Sequence, residues 1–271
     1  MKDFVFREKS LTAHELHYRA FVKRGKHMKN IVLTVSYDGT NYHGFQKQNN
    51  ATTVQELLEG AIFEITGEKS AIIGCSRTDA GVHAEEYVCN FHTNTKIPAD
   101  KIPFALNTVL PDDISCMSGR VAEEDFHARF SAKSKIYEYR IWTAPHKHAL
   151  SARFSWHYPQ KVNVSAMKKA AMAFIGEKDF AGFMSTGGQQ KTTVKEIYDL
   201  KVSKTGDMIK IKIHANGYLY NMVRIIAGTL VYVGNGKIDK NEIEEIIASK
   251  DRKRAGITAP PEGLMLKKVF Y

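Results

Sequence analysis

The sequence predicts an α+β fold, in which helices pack on a sheet that is not built from regular parallel crossovers. Two observations lead to this prediction. Runs of alternating apolar and polar residues, typical of half-buried strands, recur in both halves of the chain. Helix-spaced apolar stretches lie between them, but few follow the strand, helix, strand order of a parallel sheet. A length of 271 residues with 43% hydrophobic content is enough for one or two globular domains.

The first half of the chain is predicted to open with a strand and a helix. Alternation over 31–37 indicates the strand, which stops at an Asp-Gly turn signal. Thr53 and Glu56 form a capping-box pattern, and apolar residues then recur at helical spacing as far as Gly67. A second strand is predicted over 87–93, after a Gly-flanked turn.

The second half is predicted to repeat this arrangement. A strand covers 136–142, and a helix covers 165–175 and closes on Gly176. The tripeptide Gly-Glu-Lys follows both predicted helices, which suggests an ancient duplication.

The remaining predicted elements are a strand, two helices and a closing strand. Isoleucines alternate with basic residues over 209–214, which predicts a strand with one apolar and one basic face. A long apolar helix is expected over 220–233. Asp239 and Glu242 form a second capping-box pattern that predicts the start of a last helix, and the closing strand is expected over 267–270.

The chain is basic, and its charge favours a polyanionic partner. The formal net charge is +10 at pH 7, which makes nucleic acid the first partner to consider. A membrane-surface protein would share this charge. However, the sequence has no apolar run long enough to span a bilayer and no basic helix with a wide apolar face at either terminus. We therefore expect no membrane association.

Cysteine and histidine usage predicts no metal site. The three cysteines, Cys75, Cys89 and Cys116, form no C-x-x-C pair, so neither a disulfide framework nor a zinc ribbon is indicated. The histidines lack metal-binding spacing, and His146-x-His148 lies in a polar loop pattern. A reducing cytoplasm fits this composition.

Residues 1–27 form a basic leader without the continuous apolar core of a signal peptide. An upstream start, an added segment and a genuine basic arm all explain it, and the sequence does not separate them. The first strand signal follows Met28. We predict two α+β domains, an N-terminal one over 28–132 and a C-terminal one over 133–271.

The turn from Gly74 to Ala84 combines a carboxylate, a guanidinium and an imidazole, which is the composition of a reaction site. Asp79 lies at an Asp-Ala-Gly bend that presents its side chain outward. Arg77 is placed to hold that carboxylate ionised, since a close cation lowers a carboxyl pKa by roughly 1–3 units. Ordinary turn chemistry and a surface ion pair explain the same residues.

Several segments, in order along the chain, agree with the signatures of one enzyme family. They are Tyr37 to Gln46, Arg77 to His83, Leu106-Asn107 with Leu110 to Ile114, Phe126 to Ala132, Lys135 to Tyr139, Asn221 to Gly228, and Glu262 to Leu264. On these motifs the chain resembles the TruA family of tRNA pseudouridine synthases. It departs from the family at Phe45, where many members have Trp, and at Ser76, where Gly is commoner.

The resemblance implies two RRM-like or ferredoxin-like halves that share a mostly antiparallel sheet, with helices packed on it and the active cleft between the halves. It implies a homodimer that isomerises uridines 38, 39 and 40 of the tRNA anticodon stem-loop without metal or organic cofactor. Asp79 is the expected catalytic residue. Its carboxylate would act either by covalent addition or by removing a sugar proton, and both routes stay open.

The resemblance also assigns substrate-binding roles around Asp79. A uridine stacked in RNA must be flipped out to react, so Arg77 is expected to fill the space beside it and Tyr137 to stack on the uracil. His83 is expected to shape the same loop. A plain strand tyrosine and a hydrogen-bonded loop histidine without catalytic work are the alternatives.

Arg224 lies in an otherwise apolar helix, where an unpaired guanidinium is expensive to bury. The resemblance supplies Asp79 as its anion, and this contact would keep the carboxylate charged at neutral pH. Snorkelling of the arginine to solvent is the alternative.

Arg129 is expected to contact phosphates, together with the nearby Lys133, Lys135 and Arg140, and such contacts position RNA without reading its sequence. Solvated surface charges are the alternative for each of them. Lys191 is expected to replace the family's arginine in a basic loop that faces tRNA.

Two other functions stay open at this point. The first is a tRNA-binding or folding module whose cellular role is not the modification. The second is a related pseudouridine synthase with a different set of target uridines.

Overall fold

The computed structural model describes residues 28–188 and 192–271, and one mixed sheet runs through this part of the chain. Its strands are β1 (Lys29–Tyr37), β2 (Ile73–Gly74), β3 (His83–Thr93), β4 (Ile114–Ala122), β5 (Ser134–Trp142), β6 (Trp156–His157), β7 (Gly176–Asp179), β8 (Val194–Thr205), β9 (Met208–Ala215) and β10 (Leu264–Phe270). The α-helices of the described residues are α1 (Val54–Thr66), α2 (Ile102–Leu106), α3 (Val164–Met172), α4 (Met222–Gly234) and α5 (Ile243–Ser249).

The strand order is β4-β1-β3-β10-β5-β9-β8-β7, with β2 paired to β3 and β6 paired to β5. All pairings are antiparallel except β10 with β3 and β5 with β6. The predicted α+β fold with a mostly antiparallel sheet is therefore confirmed. The domain boundary near residue 132 stays a prediction.

Strand β10 lies between two sides of the sheet, with β4, β1 and β3 on one side and β5, β9, β8 and β7 on the other. We call this position the seam. Strand β10 pairs with β5 along most of its length, but with β3 only at Met265 opposite His83 and Leu266 opposite Ala84. Because His83 is the first residue of β3, this short parallel contact brings the loop before β3 to the middle of the sheet.

The buried core follows the sequence periodicity. Ile209, Ile211 and Ile213 of β9 are fully buried, as their alternation with basic residues predicts. Helix α4 is buried along nearly its whole length, and it packs against α3 and β5. A side-chain carbon at Gly228 of α4 would lie 2.0 Å from the backbone oxygen of Ile257, so this close approach requires glycine.

Helix α1 begins and ends where the sequence predicts. The side chain of Thr53 accepts a hydrogen bond from the backbone of Glu56 at 3.4 Å and caps the first turn. At the other end Gly67 adopts a left-handed conformation with φ of 71°, which residues other than glycine rarely adopt.

Helix α3 ends earlier than predicted. It stops at Met172, and the next three residues donate backbone hydrogen bonds to carbonyls three positions back, which tightens the chain into turns. Gly176, expected to close the helix, instead begins β7 with φ of 98°.

The second capping-box prediction is wrong. Helix α5 begins at Ile243, and no side chain caps its first turn. The Asp239 carboxylate instead accepts a hydrogen bond from the Asn241 backbone at 2.7 Å, which forms a local turn before the helix. None of the helices described in the structure is long and apolar enough to cross a membrane.

Candidate active site

The loop over 75–82, between β2 and β3, carries Asp79 and interlocks with the turn that follows β1. The backbone oxygen of Thr78 accepts a hydrogen bond from the Phe45 backbone at 3.3 Å, and the Thr78 hydroxyl lies 2.9 Å from the Tyr37 hydroxyl. At Gly44, where φ is 86°, a side-chain carbon would lie 2.3 Å from the Thr78 oxygen. Glycine is therefore needed where the two loops cross.

Asp79 forms an ion pair with Arg224 of α4. Arg224 Nη1 lies 3.4 Å from Asp79 Oδ2, and the two side chains are 15% and 26% exposed. The guanidinium also donates to the Ala259 oxygen through Nε and to Asn221 Oδ1 through Nη1, both at 2.7 Å. These bonds fix its orientation, so Arg224 is held in place to meet the carboxylate.

Burial dominates the ionisation of Asp79. It raises the pKa of the carboxyl above its ordinary value, and the charge and hydrogen bond of Arg224 lower the pKa without cancelling that effect. A neighbouring arginine was expected to keep this carboxylate charged, and Arg224 does favour the charged form, but by less than burial opposes it. Arg224 is a partner that partly offsets desolvation.

The structure does not pair Arg77 with Asp79, because the guanidinium in the ion pair is that of Arg224. Arg77 is exposed, and its positive charge acts on Arg129. Partial burial lowers the pKa of Arg129, and the positive charge of Arg77 lowers it further. The two guanidinium groups thus repel each other beside the Asp79 loop.

Tyr137 of β5 lies under the same loop. Its hydroxyl is 3.2 Å from the Ser76 hydroxyl, and its ring meets Tyr218 edge-on with centroids 5.0 Å apart. Burial raises the pKa of Tyr137 most, and the nearby carboxylate of Asp79 contributes to the increase. The side chain is only 6% exposed, so a uracil ring stacked on it would have to displace part of this cover.

His83 is a buried connection between two loops. Its Nδ1 accepts a hydrogen bond from the Gly39 backbone at 3.0 Å, and its Nε2 lies 3.2 Å from the Glu262 backbone oxygen. Burial lowers the pKa of the imidazole, and the nearby Asp38 carboxylate opposes this shift. The same Nδ1 lies 3.1 Å from Asp38 Oδ1, so in the neutral ring it accepts from Gly39, whereas protonation would let it donate to the Asp38 carboxylate. The geometry favours a role in shaping the loop.

Asp38 has a role that the sequence did not indicate. Its carboxylate caps the turn at Thr40 with a 3.0 Å hydrogen bond and forms a 2.7 Å ion pair with Arg153. The sequence marked Asp38 only as a turn residue, and no local pattern pointed to Arg153. This pair ties the turn after β1 to the segment before β6.

Two of the basic residues expected near phosphates have partners within the protein. Lys135 Nζ donates to the Cys75 backbone oxygen at 2.7 Å, which holds the start of the Asp79 loop. Arg140 forms a 2.7 Å ion pair with Glu138. Lys133 and Arg129 lie at the surface. Lys191 falls outside the described residues.

Within the described ranges, no group of three or more His, Cys, Asp or Glu side chains is arranged to hold a metal ion. The cysteines Cys75, Cys89 and Cys116 are buried and free.

Comparison with known proteins defines the class to which this fold and site belong. The family model described as tRNA pseudouridine synthase matches residues 33–131 and 170–271. The matched ranges contain Asp79, Arg77, Arg129 and Arg224. The chain belongs to this family.

Curated relatives agree over nearly the whole chain. The chain is 53% identical over 244 residues to tRNA pseudouridine synthase A of Thermoanaerobacter sp. (strain X514), which covers 90% of this chain and all of the relative. It is 51% identical to the protein of the same name from Ruminiclostridium cellulolyticum and 46% identical to that of Clostridium acetobutylicum, with the same coverage.

Proposed function

We propose that this protein isomerises uridine to pseudouridine at positions 38, 39 and 40 of the tRNA anticodon stem-loop, with Asp79 as the catalytic residue. Family membership supports a tRNA substrate and this isomerisation. The observation that carries the proposal for Asp79 is its ion pair with a rigidly held Arg224 at the seam of the sheet. A half-buried carboxylate fixed by a cation suits work on a glycosidic bond.

The reaction is balanced without an oxidant or reductant. The bond from the sugar C1′ to N1 of the uracil breaks, and a bond from C1′ to C5 forms. C5 loses its proton, and N1 ends with one. The ionised Asp79 either adds to the sugar at C1′ or removes a proton from the sugar, and both routes need the same carboxylate.

The residues around Asp79 take distinct parts in binding. Arg77 fills the space left by the flipped uridine, and Tyr137 stacks on the uracil. His83 shapes the loop without touching the substrate, which its two backbone contacts support. Arg129 contacts phosphate, and Lys191 belongs to a basic loop that meets the tRNA.

The protein acts as a homodimer in the cytoplasm and uses neither a metal nor an organic cofactor. The resemblance to the TruA family supports the dimer, and sedimentation at micromolar concentration tests it. The absence of disulfide bonds among the three buried cysteines suits a reducing compartment.

The decisive experiment is site-resolved pseudouridine mapping on an unmodified tRNA transcript with uridines in the anticodon arm. Wild-type protein is compared with Asp79→Ala and with Asp199→Ala. The second variant is a matched control because Asp199 also forms an ion pair, 3.0 Å from Lys201, but on β8. Conversion at positions 38 to 40 that is lost only in Asp79→Ala, while tRNA binding persists, supports the proposal.

Two results would contradict it. Binding without conversion by folded wild-type protein favours an RNA-binding module. Conversion at other uridines keeps the chemistry and overturns the target assignment.

A further inference from the structure

Phe130 is an apolar ring on the surface of a highly basic protein. It is 72% exposed, although it follows the fully buried Ala128 by two residues. Single exposed apolar side chains are common on protein surfaces, so the anchoring and the surroundings of Phe130 carry the argument.

The turn that presents Phe130 is firmly anchored on both sides. The backbone of Ala128 donates to Asn90 Oδ1 at 2.9 Å, and the Tyr271 hydroxyl donates to the Ala128 oxygen at 2.8 Å. The turn also closes on itself, since the Ser131 backbone donates to the His127 oxygen at 2.9 Å. The ring is therefore held out from a fixed backbone.

Two side chains lie against the Phe130 ring. The His127 ring stacks on it with centroids 4.2 Å apart and an angle of 30° between the planes. The Arg129 guanidinium carbon lies 5.8 Å from the ring centroid, a looser contact. An exposed fraction of 72% leaves room for another flat ring.

The surroundings of Phe130 are positively charged and close to the candidate site. Ala128, two residues before Phe130, is hydrogen-bonded to Asn90, and Asn90 lies opposite Ile73 of β2, the strand that leads into the Asp79 loop. Arg129 is the neighbour of Phe130 in the chain, and the charge of Arg77 lowers its pKa after the larger effect of burial. Arg77 belongs to the Asp79 loop. The positive charge of both guanidinium groups attracts anions, and a phosphate of the RNA is the anion that Arg129 would bind.

We propose that Phe130 is a stacking platform for a nucleobase of the RNA that neighbours the reacting uridine, while Arg129 holds an adjoining phosphate. Exposed aromatic rings among cations bind unstacked bases in this way, because every base has a face that stacks. This inference rests on the proposed function. It adds a binding residue to that site.

The expected effect is on binding. Stacking on a platform away from the reacting atoms stabilises substrate and transition state equally, so its loss raises KM and leaves kcat unchanged. By the usual range for loss of one base-stacking contact, Phe130→Ala should weaken tRNA binding about 5- to 150-fold. Phe130→Trp should restore it.

Phe104 provides a matched control. It is 70% exposed on α2 and also has a cation over its ring, with Lys101 Nζ 5.5 Å from the centroid. Helix α2 packs on the edge strand β4. Phe104→Ala should leave both Kd and KM unchanged.

The test measures Kd and conversion kinetics for an unmodified tRNA transcript at several salt concentrations. Phe130→Ala should lower affinity at every salt concentration without changing the slope of log K against log salt. Arg129→Gln should reduce that slope by roughly 0.7–0.9, the contribution of one phosphate. Phe130→Leu removes the aromatic ring but keeps the apolar bulk. It replaces Phe130→Ala in these measurements if the alanine variant is less stable.

The outcomes separate this inference from the proposed function. If the wild-type protein converts uridine but Phe130→Ala or Phe130→Leu has an unchanged Kd and KM, the stacking platform is overturned. Equal weakening by Phe104→Ala does the same. Lack of conversion by folded wild-type protein instead refutes the proposed function, and Kd still decides whether Phe130 binds RNA.

Discussion

Arg224 lies 3.4 Å from the carboxylate of Asp79, and the two residues come from opposite sides of the β10 seam. The helix that carries Arg224 belongs to the second half of the chain, whereas Asp79 precedes β3. The candidate site therefore exists only when both halves are assembled.

Replacing Arg224 should slow the reaction. Arg224→Gln removes a positioned cation from the carboxylate, and loss of one such preorganised group lowers kcat by roughly 10²-fold. Because Arg224 lowers the pKa of Asp79, the acid limb of the pH–rate profile should also move to higher pH. Arg254→Gln breaks a surface pair with Glu245 of 2.9 Å and is the control. A normal rate in Arg224→Gln would contradict this assignment.

Neutralising Asp79 should stabilise the protein while abolishing activity. Burial raises the folded-state pKa of this carboxyl, so the native state binds more protons than the unfolded state, and stability falls as pH rises through that range. At neutral pH the ionised group costs free energy that Asp79→Asn removes. Urea denaturation at pH 7 measures the change. A lower unfolding midpoint for Asp79→Asn would count against it.

His83 should make stability depend on pH in the opposite direction. Burial lowers the pKa of its imidazole in the folded state, so the unfolded state binds more protons as pH falls below about 6.5. Stability is then lost as pH falls from the unfolded-state pKa toward the lower folded-state pKa. Denaturation curves across this range should show the loss, and His83→Gln should reduce it. An identical pH dependence in the variant would exclude His83 as its source.

Replacement of two glycines by alanine should change the stability of the protein in opposite directions. At Gly228 a side-chain carbon would meet the Ile257 backbone oxygen at 2.0 Å, so Gly228→Ala should destabilise by about 1–3 kcal/mol or more. Gly60, inside α1, has no neighbouring atom within 4 Å of such a carbon. Gly60→Ala should stabilise by about 0.5–1 kcal/mol. Thermal and urea unfolding test both, and equal effects would refute the packing argument.

Sequence periodicity predicted most elements because their signals are local. The isoleucines of β9 and the capped helix α1 lie within a few residues of the patterns that specify them. The predicted end of α3 and the predicted start of α5 were wrong. Tight turns compete with helical continuation after Met172, and a local hydrogen bond of Asp239 does so before α5.

Long-range contacts were less accessible from the sequence. The pairing of Asp79 with Arg224 was expected only through the family resemblance, because nothing local joins a loop to a distant helix. The pair of Asp38 with Arg153 was missed for the same reason. The balance between burial and charge at Asp79 depends on surroundings that only the folded chain supplies.

The position of β10 determines when the site forms during protein synthesis. This strand leaves the ribosome after all other strands of the described sheet, yet it lies between β3 and β5. Until it emerges, β3 lacks its neighbour at the seam. A nascent chain therefore cannot assemble the site before its own translation has passed β10, which confines any modification of tRNA to chains in which β10 has been made.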